Sequence, residues 1–214
     1  MCIRDRNIPV QVTVNASPSG TICQGNSVTY TASSNSTIND LVYTWKINGI
    51  VAGVGPSITK NNLNNGDQIT CFVSSATTCV STSSNSSNNL LASISPLPNL
   101  YSLSGGGSYC TGNTPPNINL SGSQVGVDYT LFKDGISTGR ILPGNLNGDP
   151  IIFNSVADSG TYTISASTVA NSCNSTMTGS IRVSINAPDA INISASNDTI
   201  SVGRRNINSI RSID

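Results

Sequence analysis

Cysteine is the residue type in this chain whose number and spacing best support a chemical role. Outside the first six residues, which hold Cys2, the chain contains Cys23, Cys71, Cys79, Cys110 and Cys173. None of them forms a CxxC pair and the chain has no His, so the ligand spacings of a zinc site are missing. The cysteines therefore indicate disulfides, and disulfides indicate an oxidising compartment.

The remaining side chains exclude most catalytic chemistry. The chain has ten acidic residues, all of them Asp, and it lacks Glu and His. Without an imidazole, neither a Ser–His–Asp nor a Cys–His arrangement can form. The acids Asp128, Asp134, Asp149 and Asp158 lie beside a predicted strand or in predicted turns, where Asp commonly bonds the backbone. We predict that the protein is not an enzyme and has no catalytic residue and no cofactor.

One loop offers oxygen donors of the kind that calcium prefers. Asn145, Asn147 and Asp149 alternate along this loop, but they fall short of an EF-hand and lack its terminal Glu. An ordinary turn is the preferred interpretation, and we predict no metal site.

The composition argues against two classes of partner. Ser, Asn and Thr supply 83 of the 214 residues, charged residues make up 9%, and the formal net charge is zero. Half of the basic residues lie at the two ends, so no basic stripe is available for phosphates and we predict no nucleic-acid partner. No apolar run approaches the roughly 20 residues of a membrane-spanning helix.

Alternating apolar and polar residues predict strands throughout the chain. Leu41, Tyr43, Trp45 and Ile47 share one face of a period-2 pattern. Clusters of Gly, Asn and Asp separate such segments as turns, and good helix formers are scarce. Short strands at this spacing predict an all-β fold built from sandwiches.

The chain also repeats itself. Cys23 and Cys110 are 87 residues apart, and Tyr43 and Tyr129, which begin similar segments, are 86 apart. A period of this size suits a small β-sandwich module and is too long for the common helical solenoids.

The repeat suggests how the cysteines pair. The second copy contains only Cys110 and Cys173, whose counterparts in the first copy are Cys23 and Cys79. A bond present in both copies would be Cys23–Cys79 and Cys110–Cys173, which leaves Cys71 as a buried free thiol. The rival pairing is Cys23–Cys71, which imitates the bridge between strands B and F of an immunoglobulin domain.

Several segments resemble known modules. The segment 158–164 resembles the tyrosine corner of immunoglobulin-like sandwiches, with Tyr162 as its tyrosine and Ile164 in place of the usual second Cys. Trp45 lies where strand C carries its core Trp, and Leu131 replaces it in the second copy. Residues 21–28, 43–49 and 65–71 resemble bacterial PKD-like/Ig-like repeat modules, and residues 107–110, 120–129 and 160–163 resemble a sister module.

The resemblance covers residues 8 to 188 and implies both architecture and setting. Modules of this kind occur in large exported surface proteins of gliding and biofilm-forming bacteria, commonly adhesins. The resemblance therefore implies tandem immunoglobulin-like (PKD-like) β-sandwich domains. It also implies that these domains act as a non-catalytic structural or adhesive spacer, outside the cell or on the bacterial cell surface. The implied partners are neighbouring modules of the same chain, glycans or cell-surface proteins.

An alternative function is that of a carbohydrate-binding accessory domain of a secreted enzyme. Such a domain needs an exposed aromatic platform, and the candidates are Phe132, Tyr101 and Tyr109. If Tyr129 and Leu131 face inward, Phe132 points outward as a possible contact residue; burial under the following loop is the competing interpretation.

The predicted organisation has four parts. Residues 1–7 are an artefactual or disordered leader, because Met1 to Arg6 resemble translated sequencing-adapter sequence. Residues 8–95 and 96–188 form the first and second sandwich, and residues 189–214 are the truncated start of a third module. We expect residues from about 190 onward to form an unpaired strand and a frayed tail, and the whole chain to be a fragment of a longer protein.

Overall fold

The computed structural model describes residues 10–35, 41–75, 85–146, 148–186, 191–196 and 199–204, the last two ranges as backbone. Within these residues the regular structure consists of β-strands, with no helix. The chain divides into two compact units. The first comprises Met1–Pro98 and Thr168–Asn174, and the second comprises Asn99–Ser167 and Ser175–Asp214.

The first unit contains two facing sets of strands. In chain order they are β1 (Val12–Ser17), β2 (Ile22–Cys23), β3 (Val28–Ser34), β4 (Leu41–Ile47), β5 (Ile50–Val54), β6 (Ser57–Lys60), β7 (Gln68–Ser75), β8 (Asn85–Ser86), β9 (Leu90–Leu91) and β10 (Ile94–Ser95). One sheet has the order β1-β3-β6 and the other β5-β4-β7-β8, with β9 also paired to β7. The short strand β2 pairs in parallel with β10.

The core of the first unit draws on both sheets. Val14 of β1 and Tyr30 of β3 are buried together with Trp45 of β4 and Ile69 of β7. The predicted apolar face of β4 is confirmed, since Leu41, Tyr43 and Ile47 pack against this core beside the fully buried Trp45. The alternation of buried and exposed residues along β3 and β7 follows from the pleat, which sends successive side chains to opposite faces.

The second unit has the same plan. Its strands are β11 (Leu103–Gly105), β12 (Gly107–Cys110), β13 (Ile118–Leu120), β14 (Val127–Lys133), β15 (Ile136–Pro143), β16 (Ile151–Phe153), β17 (Gly160–Thr168), β18 (Asn174–Thr176) and β19 (Ile181–Asn186). One sheet has the order β11-β13-β16, and the other β12-β19-β17-β14-β15, with β18 paired to β17. Strand β12 runs parallel to β19, as β2 does to β10. Leu120 and Phe153 from one sheet and Tyr129, Leu131 and Ile164 from the other share a core in which each is fully buried.

Each unit therefore has two facing sheets and one short strand paired in parallel, β2 with β10 in the first unit and β12 with β19 in the second. Two packed sheets in which neighbouring strands are far apart in sequence are typical of an immunoglobulin-like sandwich. The prediction of an all-β, immunoglobulin-like fold is confirmed.

The two units contain the same type of hairpin turn. Strands β4 and β5 are joined by Asn48-Gly49, and β14 and β15 by Asp134-Gly135, with φ of 50° and 81° in the first turn and 48° and 82° in the second. Positive φ at both central positions defines the turn that best matches the twist of a two-residue hairpin, and Asn-Gly and Asp-Gly favour it. The two hairpin turns therefore have the same backbone geometry.

The expectation of an unpaired strand after residue 190 is wrong. Strand β20 (Ile191–Ser196) pairs antiparallel with β21 (Thr199–Arg204), from Ile191 opposite Arg204 to Ser196 opposite Thr199. Only two residues, Asn and Asp, separate the strands in sequence, a connection typical of a hairpin.

Candidate functional site

The disulfide of the described residues joins Cys23 to Cys173, with Cα atoms 5.4 Å apart and a sequence separation of 150 residues. Cys23 ends β2, where it lies opposite Ser95 of β10. Its backbone carbonyl accepts a 3.0 Å hydrogen bond from Asn26, which closes a turn through Gly25 at a φ of 88°. Strand pairing and turn together hold the Cys23 side chain in place.

Cys173 is positioned by a compact turn within Thr168–Asn174, a segment of the first unit. Its backbone amide donates to the Thr168 hydroxyl at 2.9 Å, and its carbonyl accepts from the Thr168 amide at 2.9 Å. The side-chain amide of Asn171 donates to the Ser95 hydroxyl at 3.2 Å. Because Ser95 lies beside Cys23, this turn brings the Cys173 sulfur to its partner.

The predicted pairing is therefore wrong, although both Cys23 and Cys173 do form a disulfide. The bond Cys23–Cys79 is incompatible with Cys23–Cys173, and Cys79 lies outside the described residues.

The bond Cys110–Cys173 is excluded as well, because Cys173 is already bonded to Cys23. Cys110 is instead a free, exposed thiol, so its predicted bridge does not exist.

Cys71 is a buried free thiol, as predicted, and the rival bridge Cys23–Cys71 is excluded. It lies opposite Trp45 on neighbouring strands, and both side chains are fully buried. Burial raises the pKa of Cys71 from 9.0 to about 11. Cys71 therefore behaves as a small apolar core residue, the place that Ile164 takes in the second unit.

The carboxylates of Asp134 and Asp67 hold turns. Asp134 accepts a 2.8 Å hydrogen bond from the Thr161 amide, and Asp67 accepts one of 2.8 Å from the Asn64 amide. Among the described residues no group of three His, Cys, Asp or Glu side chains is close enough to hold a metal ion.

The loop considered for calcium is closed by its own hydrogen bonds. The side-chain oxygen of Asn145 accepts from the Asp149 amide at 2.8 Å and from the Ser123 hydroxyl at 3.1 Å. Ser123 itself is buried. Asn147, the third candidate ligand, lies outside the described residues. The oxygen donor of Asn145 is thus engaged in holding the turn.

The tyrosine corner inferred from the resemblance is present. The hydroxyl of Tyr162 donates a 2.7 Å hydrogen bond to the backbone carbonyl of Asp158, four residues upstream. Burial and then the nearby Asp158 and Asp134 charges raise the pKa of Tyr162. The hydroxyl therefore stays protonated at neutral pH and keeps donating.

The three aromatic candidates for sugar binding do not form one platform. Tyr129 and Leu131 face inward as expected, but Phe132 is only partly exposed. Tyr101 and Tyr109 pack against the core, and their hydroxyls donate to the carbonyls of Ser123 and Ala157. Strands β12 and β14, which carry Tyr109 and Phe132, are three positions apart in the sheet, about 14 Å.

The outer face of the β1-β3-β6 sheet is uniformly uncharged and polar; we call it the hydroxyl face. It consists of the outward side chains Thr13, Asn15, Ser17, Thr29, Thr31, Ser33, Ser57 and Thr59. Pairing places Thr31 opposite both Asn15 and Ser57 at its centre. The hydroxyls of Thr29 and Thr59 are hydrogen-bonded to each other at 2.9 Å. Sequence alternation predicts the outward direction of these side chains, but only the strand order shows that they form one surface.

The first unit also contains a cavity of about 320 Å³ that sequence reasoning missed. Its walls include Val14, Ile22, Val28, Tyr30, Leu90 and Ile94. It lies where the chain leaves β1 and turns through residues 18–20 to reach β2, between the edges of the two sheets. No sequence pattern marks it, because its walls come from five separate strands and a turn.

Comparison with known proteins adds little to this geometry. No protein-family model and no curated protein matches the chain. Among solved structures, the ligand-binding domain of human OSCAR is 11% identical with a TM-score of 0.35, covering 81% of this chain and 98% of that one. Murine CEACAM1b is 13% identical with a TM-score of 0.40, covering 82% and 100%. The fold assignment therefore rests on the strand order and cores described above.

The described residues contain no helix that is long and apolar enough to cross a bilayer.

Proposed function

We propose that the protein is a non-catalytic structural and adhesive module of a large exported bacterial surface protein, acting as a spacer that transmits force. The observation that supports this most is the Cys23–Cys173 disulfide, which closes a loop across 150 residues. A covalent bond between residues 150 positions apart in sequence gives tension a path that avoids most of the chain. The bond also belongs in an oxidising, extracellular setting.

The connectivity of the chain determines which residues carry the tension. Tension applied at the termini reaches Cys23 and passes through the disulfide to Cys173, so the residues between them stay unloaded while the bond is intact. The same bond removes conformational entropy from the unfolded chain, and for a loop of 150 residues it stabilises the fold by about 5 kcal/mol in the chain-entropy model. A spacer benefits from both effects, because it keeps its length under load.

The experiment is single-molecule pulling on the full chain between its ends, with and without reductant. With the bond intact, unfolding cannot release the 150-residue loop. Reduction should lengthen the fully extended chain by about 500 Å. Equal extended lengths in both conditions would contradict the proposal.

Two variants make the pulling experiment specific. Cys173→Ser should give the long extension without reductant. Cys110→Ser removes an exposed free thiol and should behave as the unmodified chain does in each condition. A long extension of Cys110→Ser without reductant would mean that Cys110 closes the loop, and it would contradict the Cys23–Cys173 bond.

The hydroxyl face supports the adhesive part of the proposal. An uncharged, hydrogen-bonding surface suits neutral partners such as glycans or uncharged regions of cell-surface proteins. A glycan array, with adhesion of chain-coated beads to bacterial cells as a second readout, tests this. Thr31→Asp places a charge at the centre of the face and should weaken the signal at least severalfold. Ser104→Asp, on an exposed position of β11 in the second unit, is the matched control.

The module boundaries 8–95 and 96–188, with residues 189–214 as the start of a third module, form part of this proposal. The PKD-like/Ig-like resemblance and the paired turns at Asn48 and Asp134 support them. Partners within the same exported protein would be neighbouring modules joined in series.

A further inference from the structure

One wall residue of the cavity in the first unit, Tyr30, is buried and carries a polar hydroxyl group. Tyr30 lines the cavity and is 3% exposed, and no hydrogen bond of its hydroxyl exists among the described residues. Every fully enclosed polar side-chain atom of the described residues does have a partner. The Tyr30 hydroxyl therefore keeps contact with open space, and the open space that its side chain borders is the cavity.

A buried ring and a carboxylate lie near Tyr30. Burial is the main cause that raises its pKa, and the negative charge of Asp67 is the second. The Asp67 carboxylate is itself hydrogen-bonded to Asn48 and Asn64. The Tyr30 ring contacts Trp45 at a centroid distance of 6.5 Å, and Tyr30 forms part of the cavity wall.

The chemistry of the walls defines what could occupy the space. The inner walls are apolar, and none of the residues lining the cavity is charged. The polar wall residues Asn15, Ser19 and Ser93 are exposed, so they lie at the mouth. A volume of about 320 Å³ is at the small end of the range of ligand sites in proteins. A charged ligand would lose hydration there without gaining a counter-charge.

We propose that this cavity is a binding site for a small, neutral, mostly apolar molecule with one hydrogen-bond acceptor, such as a ketone or an ester. The Tyr30 hydroxyl donates a hydrogen bond to that acceptor. The apolar body of the ligand fills the space between Val14, Val28 and Ile94. The site is independent of the spacer role, because it lies on the core side of the first unit and uses neither the disulfide nor the hydroxyl face.

The test compares two probes of nearly equal shape on the full chain. Acetophenone has a carbonyl acceptor, and α-methylstyrene has a methylene group in its place. Isothermal titration or ligand-observed NMR should show acetophenone binding about three- to tenfold more tightly, the range expected for one hydrogen bond. Tyr30→Phe should abolish this preference and leave the affinity for α-methylstyrene unchanged.

Three further readouts keep the test decisive. Thermal unfolding of Tyr30→Phe should occur at or above the temperature of the unmodified chain, because the substitution removes no protein hydrogen bond. Ala16→Phe, which fills the cavity from its wall, should abolish the binding of both probes. Failure of both probes to bind the unmodified chain, or a preference for acetophenone that persists in Tyr30→Phe, would overturn the proposal.

Discussion

The side-chain oxygen of Asn48 accepts a 2.9 Å hydrogen bond from the backbone amide of Gln68. In the second unit Asp134 accepts an equivalent bond of 2.8 Å from Thr161. In each pair the backbone amide of the turn residue donates back to the carbonyl of its partner, at 2.9 Å and 2.8 Å. Each sandwich thus ties a hairpin turn to the start of the neighbouring strand with the same reciprocal pair of hydrogen bonds.

These turns predict a paired stability effect. Asn48→Ala and Asp134→Ala each remove an acceptor and place a side chain with a poor tolerance of positive φ in the turn, so each should cost about 2 kcal/mol. Asp134→Asn retains both the acceptor and the tolerance and should stay within about 0.5 kcal/mol. Denaturant unfolding followed by Trp45 fluorescence reports on the first unit, and hydrogen exchange reports on the second. Equal losses for Asp134→Ala and Asp134→Asn would contradict this explanation.

The tyrosine corner gives a second prediction. Tyr162→Phe leaves the Asp158 carbonyl without its donor and should destabilise the second unit by about 1 kcal/mol. Tyr43→Phe is the matched control, because its hydroxyl meets Ser34 only at 3.4 Å, and it should cost less than about 0.5 kcal/mol. The measurement is hydrogen exchange across β17 and β4. An effect of Tyr43→Phe as large as that of Tyr162→Phe would argue against the corner as a stabilising element.

Stability should fall at alkaline pH. The folded-state pKa of Cys71 is raised to about 11, so the folded chain holds this proton more tightly than the unfolded chain. The resulting stability is fully present below about pH 9 and is lost as the pH rises towards 11, by about 2 kcal/mol. The pKa values of Tyr30, Tyr129 and Tyr162 are raised too, so the loss continues above pH 10.

Denaturant unfolding between pH 7 and pH 11 measures this loss. The experiment uses a Cys110→Ser background, which prevents disulfide exchange by the exposed thiol. Cys71→Val in that background should remove the decrease that begins near pH 9 and retain the later tyrosine-linked decrease. An unchanged pH profile in Cys71→Val would show that the thiol does not titrate as described.

The two described free thiols should differ in reactivity. Iodoacetamide at neutral pH should modify the exposed Cys110 readily, and should modify the fully buried Cys71 only on unfolding. Peptide mass spectrometry after timed labelling distinguishes the two sites. Comparable labelling of both in the folded chain, or protection of Cys110, would refute the placement of these side chains.

Several features could be predicted from the sequence because they depend on local patterns. Period-2 alternation around Trp45 predicted the strands, and the repeat correctly left Cys71 unpaired. The partner of Cys23 could not be predicted, because the repeat favours bridges within one copy and the bond joins cysteines from different copies. The bond depends instead on the turn around Asn171, which places Cys173 beside Ser95. The cavity at Tyr30 is likewise invisible in sequence, since its walls come from strands far apart in the chain.

The bond between Cys23 and Cys173 is the feature on which the proposed spacer function depends most, and peptide mapping tests it directly. The chain is blocked with iodoacetamide, digested without reductant and examined by mass spectrometry. The account predicts a linked peptide pair that contains Cys23 and Cys173 and disappears on reduction. A Cys23–Cys79, Cys23–Cys71 or Cys110–Cys173 pair in its place would contradict the account.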